Sequence, residues 1–293
     1  MKYILGGGMS GLIFYLCNRD YKIIAKESKG QCTDSTFILG PRFLHYNLDN
    51  LKLLKKLNIT AKEKTCSIGY YWHRELLDAH TDDMRREYFD KSRGVNNSVK
   101  LDISSLNEGI TEFKYFDINF NTLCDQLFNI AKDDIINEEV IKIDYIKKKI
   151  YTTNIYEYDE LIVTIPRKTF YSLIGYHTAS RFLISKSVTF IKVTTTPIDM
   201  KDKNYIYIID HEYPYYRITN YIEYYCVEML GEIDEVECKK IFKDTYITSK
   251  IVKDSQLITL KSEIVLKNVK FLGRYGMHDK SLKIQDVVRS SQC

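Results

Sequence analysis

The chain has little of what stiffens, staples or anchors a protein. Among 293 residues there are 4 prolines, 13 glycines and 1 tryptophan, which excludes a collagen-like or Pro/Gly-rich low-complexity chain. The seven cysteines are Cys17, Cys32, Cys66, Cys124, Cys226, Cys238 and Cys293, and no two stand at C-x-x-C spacing. A zinc site or redox dithiol of the familiar pattern is therefore excluded, and reduced thiols are expected. The apolar run from Tyr3 to Cys17 is 15 residues long and broken by glycines. A bilayer needs about 20 residues, and no small-x-small cleavage site follows the run. A soluble, cytoplasmic protein with no membrane partner is expected. Charge of one sign is scarce too: 43 Lys and Arg against 39 Asp and Glu leave +4, spread along the chain. That permits an anionic small ligand but supplies no basic patch of the kind nucleic acid requires.

What is present is the composition of a globular protein, 44% hydrophobic and 28% charged. At roughly 150 residues per domain the length predicts two domains. A chain of this size buries enough surface to fold without cross-links or metal. No internal repeat or Pro/Gly/Ser-rich linker divides it, so the two domains are expected to interleave. The start reads as a β-turn-α-β unit, with a strand at 2–5, a helix at 9–18 and a strand at 21–26. A helix follows at 50–57. The polar stretch 60–106 reads as a variable, partly helical insert, with 82–93 as a solvated helix face. Leu123, Leu127 and Ile130 share one side of a helix at 120–131. Strands are predicted at 139–143, 149–153, 161–164, 187–195, 204–209 and 216–219, with 221–228 extending that sheet. The remainder reads as a helix at 235–250, a strand at 269–272 and a last helix at 282–290.

The first motif with chemical content is Gly6-Gly7-Gly8-Met9-Ser10-Gly11, a G-x-G-x-x-G. A predicted strand leads in, a helix leads out, and Glu27 stands at the end of the second strand. Gly6 permits a tight turn, Gly8 lets backbone approach a pyrophosphate, and Gly11 lets the helix pack closely on the sheet. The free N–H groups at the helix start, including those of Met9 and Ser10, suit negative charge. The Glu27 carboxylate suits ribose hydroxyls and disfavours a 2′-phosphate. A glycine-rich turn without a ligand is the alternative.

Four stretches, in order, resemble the FAD-binding amine oxidase and protoporphyrinogen oxidase superfamily, with the UDP-galactopyranose mutase branch closest in flavour. They are the opening unit followed by Gly40-Pro41-Arg42-Phe43-Leu44-His45; the stretch 120–165 with the turn Thr164-Ile165-Pro166 at its close; Pro214-Tyr215-Tyr216-Arg217-Ile218-Thr219; and Phe271-Leu272-Gly273-Arg274-Tyr275-Gly276. One departure is Gly30-Gln31-Cys32, where the family has a Gly-Gly pair. The resemblance implies FAD as the cofactor. It places Glu27 and Ser28, Arg42 and Phe43, the backbone of Val140, Thr164 with Pro166, and Gly273 with Arg274 at that cofactor, His45 beside the flavin, and Arg217 facing the substrate. Strand alternation would put Tyr215 on the face of Arg217, as an aromatic wall beside a cation. Against these readings, His45 could be an ordinary core or surface histidine, and Arg217 could merely stack on aromatic rings.

The expected fold is α/β: a Rossmann-like, doubly wound parallel FAD-binding domain made of 1–60, 115–170 and 266–293, interleaved with a smaller mixed substrate domain of 61–114 and 171–265. The expected function is an FAD-dependent oxidoreductase of the amine-oxidase-like class, with His45 and Arg217 as the catalytic candidates. Its partner would be a small anionic or amine-bearing substrate, nucleotide-linked or amino-acid-bearing. No second G-x-G-x-x-G and no redox cysteine pair accompany the first motif, which argues against a pyridine-nucleotide disulfide reductase. A plain NAD dehydrogenase would not need the return strand and closing G-R-x-G. The runner-up is a non-redox flavoenzyme, mutase-like or a lyase, which the short length disfavours; a flavin-binding module without catalysis is a third reading.

Overall fold

In chain order the elements are β1 (Lys2–Leu5), α1 (Met9–Cys17), β2 (Lys22–Ile24), β3 (Leu44–His45), α2 (Leu48–Lys56), β4 (Lys62–Trp72), β5 (Glu75–Leu77), α3 (Asp82–Arg93), β6 (Glu112–Asp117), α4 (Phe120–Ala131), β7 (Ile135–Ile136), β8 (Lys142–Asp144), β9 (Lys149–Tyr151) and β10 (Ile155–Glu157). They continue with β11 (Glu160–Val163), α5 (Arg167–Leu173), α6 (His177–Ser180), β12 (Leu183–Val193), β13 (Tyr205–Ile208), β14 (Tyr215–Asn220), β15 (Tyr225–Leu230), α7 (Glu235–Phe242), β16 (Tyr246–Thr259), β17 (Val269–Phe271), α8 (Gly273–Met277) and α9 (Ile284–Ser290). The computed structural model describes residues 1–26, 43–93, 111–180, 183–221, 223–259, 266–278 and 282–292. The chain divides into two units, one of residues 1–64, 115–184 and 257–293, the other of 65–114 and 185–256.

The first unit is built on a five-stranded sheet of order β17-β11-β1-β2-β7. Every neighbouring pair in it is parallel. Its strands are short apolar runs with both faces covered, the pattern of a parallel sheet between helical layers. On one face Leu12, Ile13 and Leu16 of α1 pack with Leu53 of α2, Leu123 and Leu127 of α4 and Val287 of α9. α1 is apolar nearly all round because it is buried nearly all round. On the other face Tyr3 and Leu5 meet Ile143 and Ile150 of the antiparallel β8–β9–β10 sheet and Phe170 and Tyr171 of α5. Asparagine side chains fix two helix starts: Asn47 Oδ1 accepts from the Asn50 amide at 2.9 Å, and Asn119 Oδ1 from the Asn121 amide at 2.8 Å. The chain grows outward from β1 through β2 to β7, then crosses back to β11 and β17. The switch therefore lies between β1 and β11, where open α/β sheets bind ligands beyond the carboxyl ends of their strands.

The second unit holds the strand order β16-β12-β15-β14-β13-β4, with β5 folded onto β4. Its ladders are antiparallel from β12 to β13, and β13 runs parallel to β4. Ile191, Ile206, Ile218, Val227 and Met229 form its core with Cys238 and Phe242 of α7.

Several expectations change. The stretch read as an insert contains β4, whose Cys66, Ile68 and Tyr70 are buried in alternation. α3 is not only a solvated face, since Met84, Tyr88 and Phe89 are buried. The helix expected at 235–250 stops at Phe242, where Lys243 turns to φ +47; the β-branched run after Tyr246 becomes β16. The third parallel strand is β7, and Val140 lies in the loop after it rather than in a strand. Cys66, Cys124, Cys226 and Cys238 are buried and form no disulfide, whereas Cys17 is disulfide-bonded, so the expectation of reduced thiols fails there. Among the described residues, no helix is long and apolar enough to cross a membrane.

Candidate cofactor site

The three motif glycines serve different ends. Gly6 has φ +107, a conformation side chains rarely adopt, and a Cβ there would come within 2.6 Å of Thr164 Oγ1. A Cβ on Gly11 would fall inside the van der Waals shell of the Gly6 carbonyl oxygen, so α1 docks on the end of β1 only because that side chain is missing. Gly8 is unlike both. Its φ of −76 suits any residue, and no atom of the described residues lies within 4 Å of where its Cβ would be. Nothing among the described residues explains the missing side chain, whereas a ligand lying against the backbone would. Gly8 also begins α1 without any side-chain cap. The first-turn amides of Met9, Ser10 and Gly11 are thus available donors at the positive end of a helix dipole. The cradle fits a diphosphate. The Met9 side chain is buried in the core and can serve only through its backbone.

Two other predicted cofactor segments, around Thr164 and around Gly273, meet the glycine turn. The Thr164 amide donates to the Leu5 carbonyl at 2.9 Å. Its hydroxyl donates to Leu5 O at 2.8 Å and Gly6 O at 3.2 Å. Thr164 therefore ties β11 to the glycine turn, and Pro166 starts α5 immediately beyond. Gly273 has φ +73, and a Cβ there would collide with the Ser10 side chain. A Cβ on Gly276 would collide with the Val163 carbonyl. Gly273-Arg274-Tyr275-Gly276 is therefore a close-approach helix that closes over the ends of β1 and β11. Arg274 turns its Nε and Nη2 toward the Leu282 carbonyl, both at 3.4 Å. Phe43 packs edge-on against Tyr115, with centroids 4.9 Å apart. Glu27, Ser28 and Arg42 lie outside the described residues.

His45 sits on β3, opposite Tyr115 in the ladder with β6. Its carbonyl accepts from Asn47 Nδ2 at 3.1 Å and Asn50 Nδ2 at 2.8 Å. Burial, with the Lys283 ammonium nearby, holds its imidazole down to about 4, so the ring is uncharged at neutral pH. Lys283, at the start of α9, escaped sequence reasoning. It belongs to no motif, and only the packing of α9 beside α2 and α1 brings it to His45.

In the second unit the structure corrects the expected receptor face. A bulge between Tyr215 and Arg217 breaks the alternation. Tyr215 turns into the apolar core, against Tyr213 and Phe242 at 5.5 and 6.1 Å. Tyr216 and Arg217 instead share Glu228 of β15. The Tyr216 hydroxyl donates to Oε2 at 2.9 Å, Arg217 Nε donates to Oε1 at 2.6 Å, and Arg217 Nη2 donates to Oε2. The guanidinium also lies 5.4 and 5.6 Å from the Tyr205 and Tyr216 rings. Glu228 has no exposed side-chain surface and Arg217 keeps 19% of its own. Burial opposes the charge on Arg217, but the Glu228 carboxylate together with the Tyr205, Tyr216 and Tyr88 phenols outweighs it, so its pKa stays well above the ordinary value. Sequence reasoning missed Glu228 because its pairing depends on the register of β14 with β15.

No protein-family model matches the sequence, and no curated protein matches it. Solved structures do share the fold. A reduced UDP-galactopyranose mutase aligns with a TM-score of 0.67 at 11% identity, covering 98% of this chain and 92% of that one. Cyclohexylamine oxidase from Brevibacterium oxydans aligns at 0.69 and 8% identity, covering 99% and 96%. An oxidoreductase from Methanosarcina mazei aligns at 0.56 and 10% identity, covering 99% and 100%. The chain thus shares its fold with this mutase, this amine oxidase and this oxidoreductase.

Three measurements test this geometry. Gly8→Val should leave the unfolding temperature near that of the native sequence while abolishing dinucleotide binding. Gly11→Ala should cost about 1–3 kcal/mol by overpacking. Equal stability of the two variants would contradict the assignment. Between about pH 6.5, where an unfolded histidine titrates, and about 4, the unfolded chain binds a proton at His45 that the native chain refuses. Stability should therefore fall as pH drops through that window, and His45→Asn should lose less between about pH 7 and pH 4.5. Arg217→Ala strands Glu228 and should cost about 3–5 kcal/mol in urea unfolding, whereas Arg217→Met with Glu228→Met should recover most of it.

Proposed function

We propose that this chain is an FAD-dependent oxidoreductase of the amine-oxidase-like class, acting on a small anionic or amine-bearing substrate. One observation carries the reading: Gly8 lacks a side chain that nothing among the described residues forbids, at the start of a helix with no side-chain cap, on a topological switch point. The return strand β11, with Thr164, and the close-approach helix α8 favour FAD over NAD, since a bare nicotinamide site needs neither. When bound, the flavin would supply hydride acceptance from a carbon bearing an amine or hydroxyl.

The chain's own residues have narrower tasks. The amides of Met9, Ser10 and Gly11 would hold the diphosphate, and Gly8 would admit it. Thr164 fixes β11 against the turn, and Gly273 lets α8 close on Ser10. His45, uncharged at neutral pH, suits orientation and hydrogen bonding rather than delivery of a proton. Arg217 would meet the substrate through whatever edge Glu228 leaves, and Glu228 neutralises much of its charge. This favours hydrogen-bond orientation over simple attraction of an anion. A second reading, a non-redox flavoenzyme of mutase or lyase type, is favoured by the fold shared with the mutase.

The purified protein should be yellow and release about one FAD per chain. A colourless protein that takes up NAD and ignores FAD would overturn the proposal. Bleaching of the bound flavin by candidate amines or hydroxy compounds under anaerobic conditions would support the oxidoreductase. Turnover that needs reduced flavin without consuming it would favour the second reading.

A further inference from the structure

We propose that Arg167 is a positioning residue for the cofactor: its guanidinium holds the far end of α8 and so sets the seat of the flavin half rather than that of the diphosphate, a role that rests on the FAD reading above. A helix of five residues does not hold itself in place. α8 is pinned where Gly273 packs on Ser10 and where Gly276 lies on the Val163 carbonyl. A third pin is Arg167, the first residue of α5, whose Nη1 donates to the carbonyl of Met277, the last residue of α8, at 3.4 Å. Its Nε donates to the Tyr171 hydroxyl, one turn further along α5, at 3.0 Å. The guanidinium lies 4.4 Å from the centroid of the Phe271 ring on β17. One side chain thus joins α5, β17 and α8. Beyond α8, a ring nitrogen of His278 stands 3.1 Å from the Ile184 carbonyl and fixes the chain that follows.

The chemistry of these contacts singles Arg167 out. The residue is 6% exposed, and among the described residues no carboxylate pairs with it. Its partners are a phenol, a carbonyl and two aromatic faces. Burying a guanidinium on neutral partners costs folding free energy. A methionine of similar length, packed among Phe170, Tyr171 and Phe271, would carry no such cost, so folding alone gives no reason for a cation here. What the guanidinium adds is a rigid fork that donates in two directions from one plane. It sets the end of α8 against α5 to within the tolerance of a hydrogen bond. The diphosphate cradle meets α8 at its other end, through Ser10 and Gly273, and loosening Met277 leaves that contact in place.

Full-length Arg167→Met and Arg167→Lys should be compared with the native chain by thermal unfolding, by hydrogen exchange of the bare proteins, and by calorimetric titration with FAD and with ADP. In Arg167→Met the relief of a buried charge offsets two lost hydrogen bonds, so the unfolding temperature should stay near the native value. Amides of 273–278 should exchange about tenfold faster while those of α1 keep their rates. FAD should bind about tenfold more weakly, with the affinity for ADP unchanged. Arg167→Lys keeps a donor but loses the fork, and should recover part of both effects. Unchanged exchange in 273–278 overturns the proposal, and so does an unchanged affinity for FAD. A marked fall in unfolding temperature, or an equal loss of FAD and ADP, also overturns it, since either would make the arginine a general packing residue. If the native chain takes up no FAD, the FAD reading fails, and the exchange arm alone decides whether Arg167 holds α8.

Discussion

The carbonyl oxygen of Gly6 is the contact on which the first unit turns. It lies beneath Gly11, so the first turn of α1 can descend onto the end of β1. It also accepts from the hydroxyl of Thr164, which brings β11 to the same point. One oxygen thereby fixes helix, turn and return strand together. The donors this sets up are backbone amides, which have no rotamers left to order when a ligand arrives, so binding there forfeits little conformational entropy. The cost falls on composition, since Gly6, Gly11, Gly273 and Gly276 each stand where a Cβ would meet another part of the chain.

Charge is handled in opposite ways in the two units. In the second, Arg217 is matched by Glu228 and Tyr216 into a closed set whose carboxylate sees no solvent. Such a pair gains little over an apolar substitute but is severe to break from one side. It therefore reads first as a positioning device, and any role at a ligand must use the edge it leaves over. In the first unit Lys283 has a neighbour of its own sign in Arg274 and an acid already engaged in capping. The pair in the second unit is complete without a ligand.

What could be read in the sequence was what local physics dictates. β1, α1, α4 and β17 follow from apolar runs, glycines and an asparagine cap, and the structure holds them within a residue or two of the expectation. The elements that escaped depend on partners distant in sequence. β4 sits in a polar stretch and becomes a strand by pairing with β13. β7 is only two residues long and exists because β2 is beside it. The bulge at Tyr216 is invisible to a period-2 reading, and it decides which tyrosine accompanies Arg217. Lys283 is unremarkable until α9 is laid beside α1.

The same division explains how the fold persists at 8 to 11% identity with cyclohexylamine oxidase and the mutase. Most positions in a parallel sheet flanked by helices need only to be apolar and of suitable volume, and cores accept wide repacking on those terms. Close backbone approaches are less tolerant, because no side chain substitutes for the absence of one. Gly6 and Gly11 at β1, and Gly273 and Gly276 at β17, are such approaches, and they frame the end of the sheet where the first turn of α1 presents its amides. Gly8 stands among them without a packing reason among the described residues. Its neighbours hold the cradle in shape, and Gly8 keeps it open.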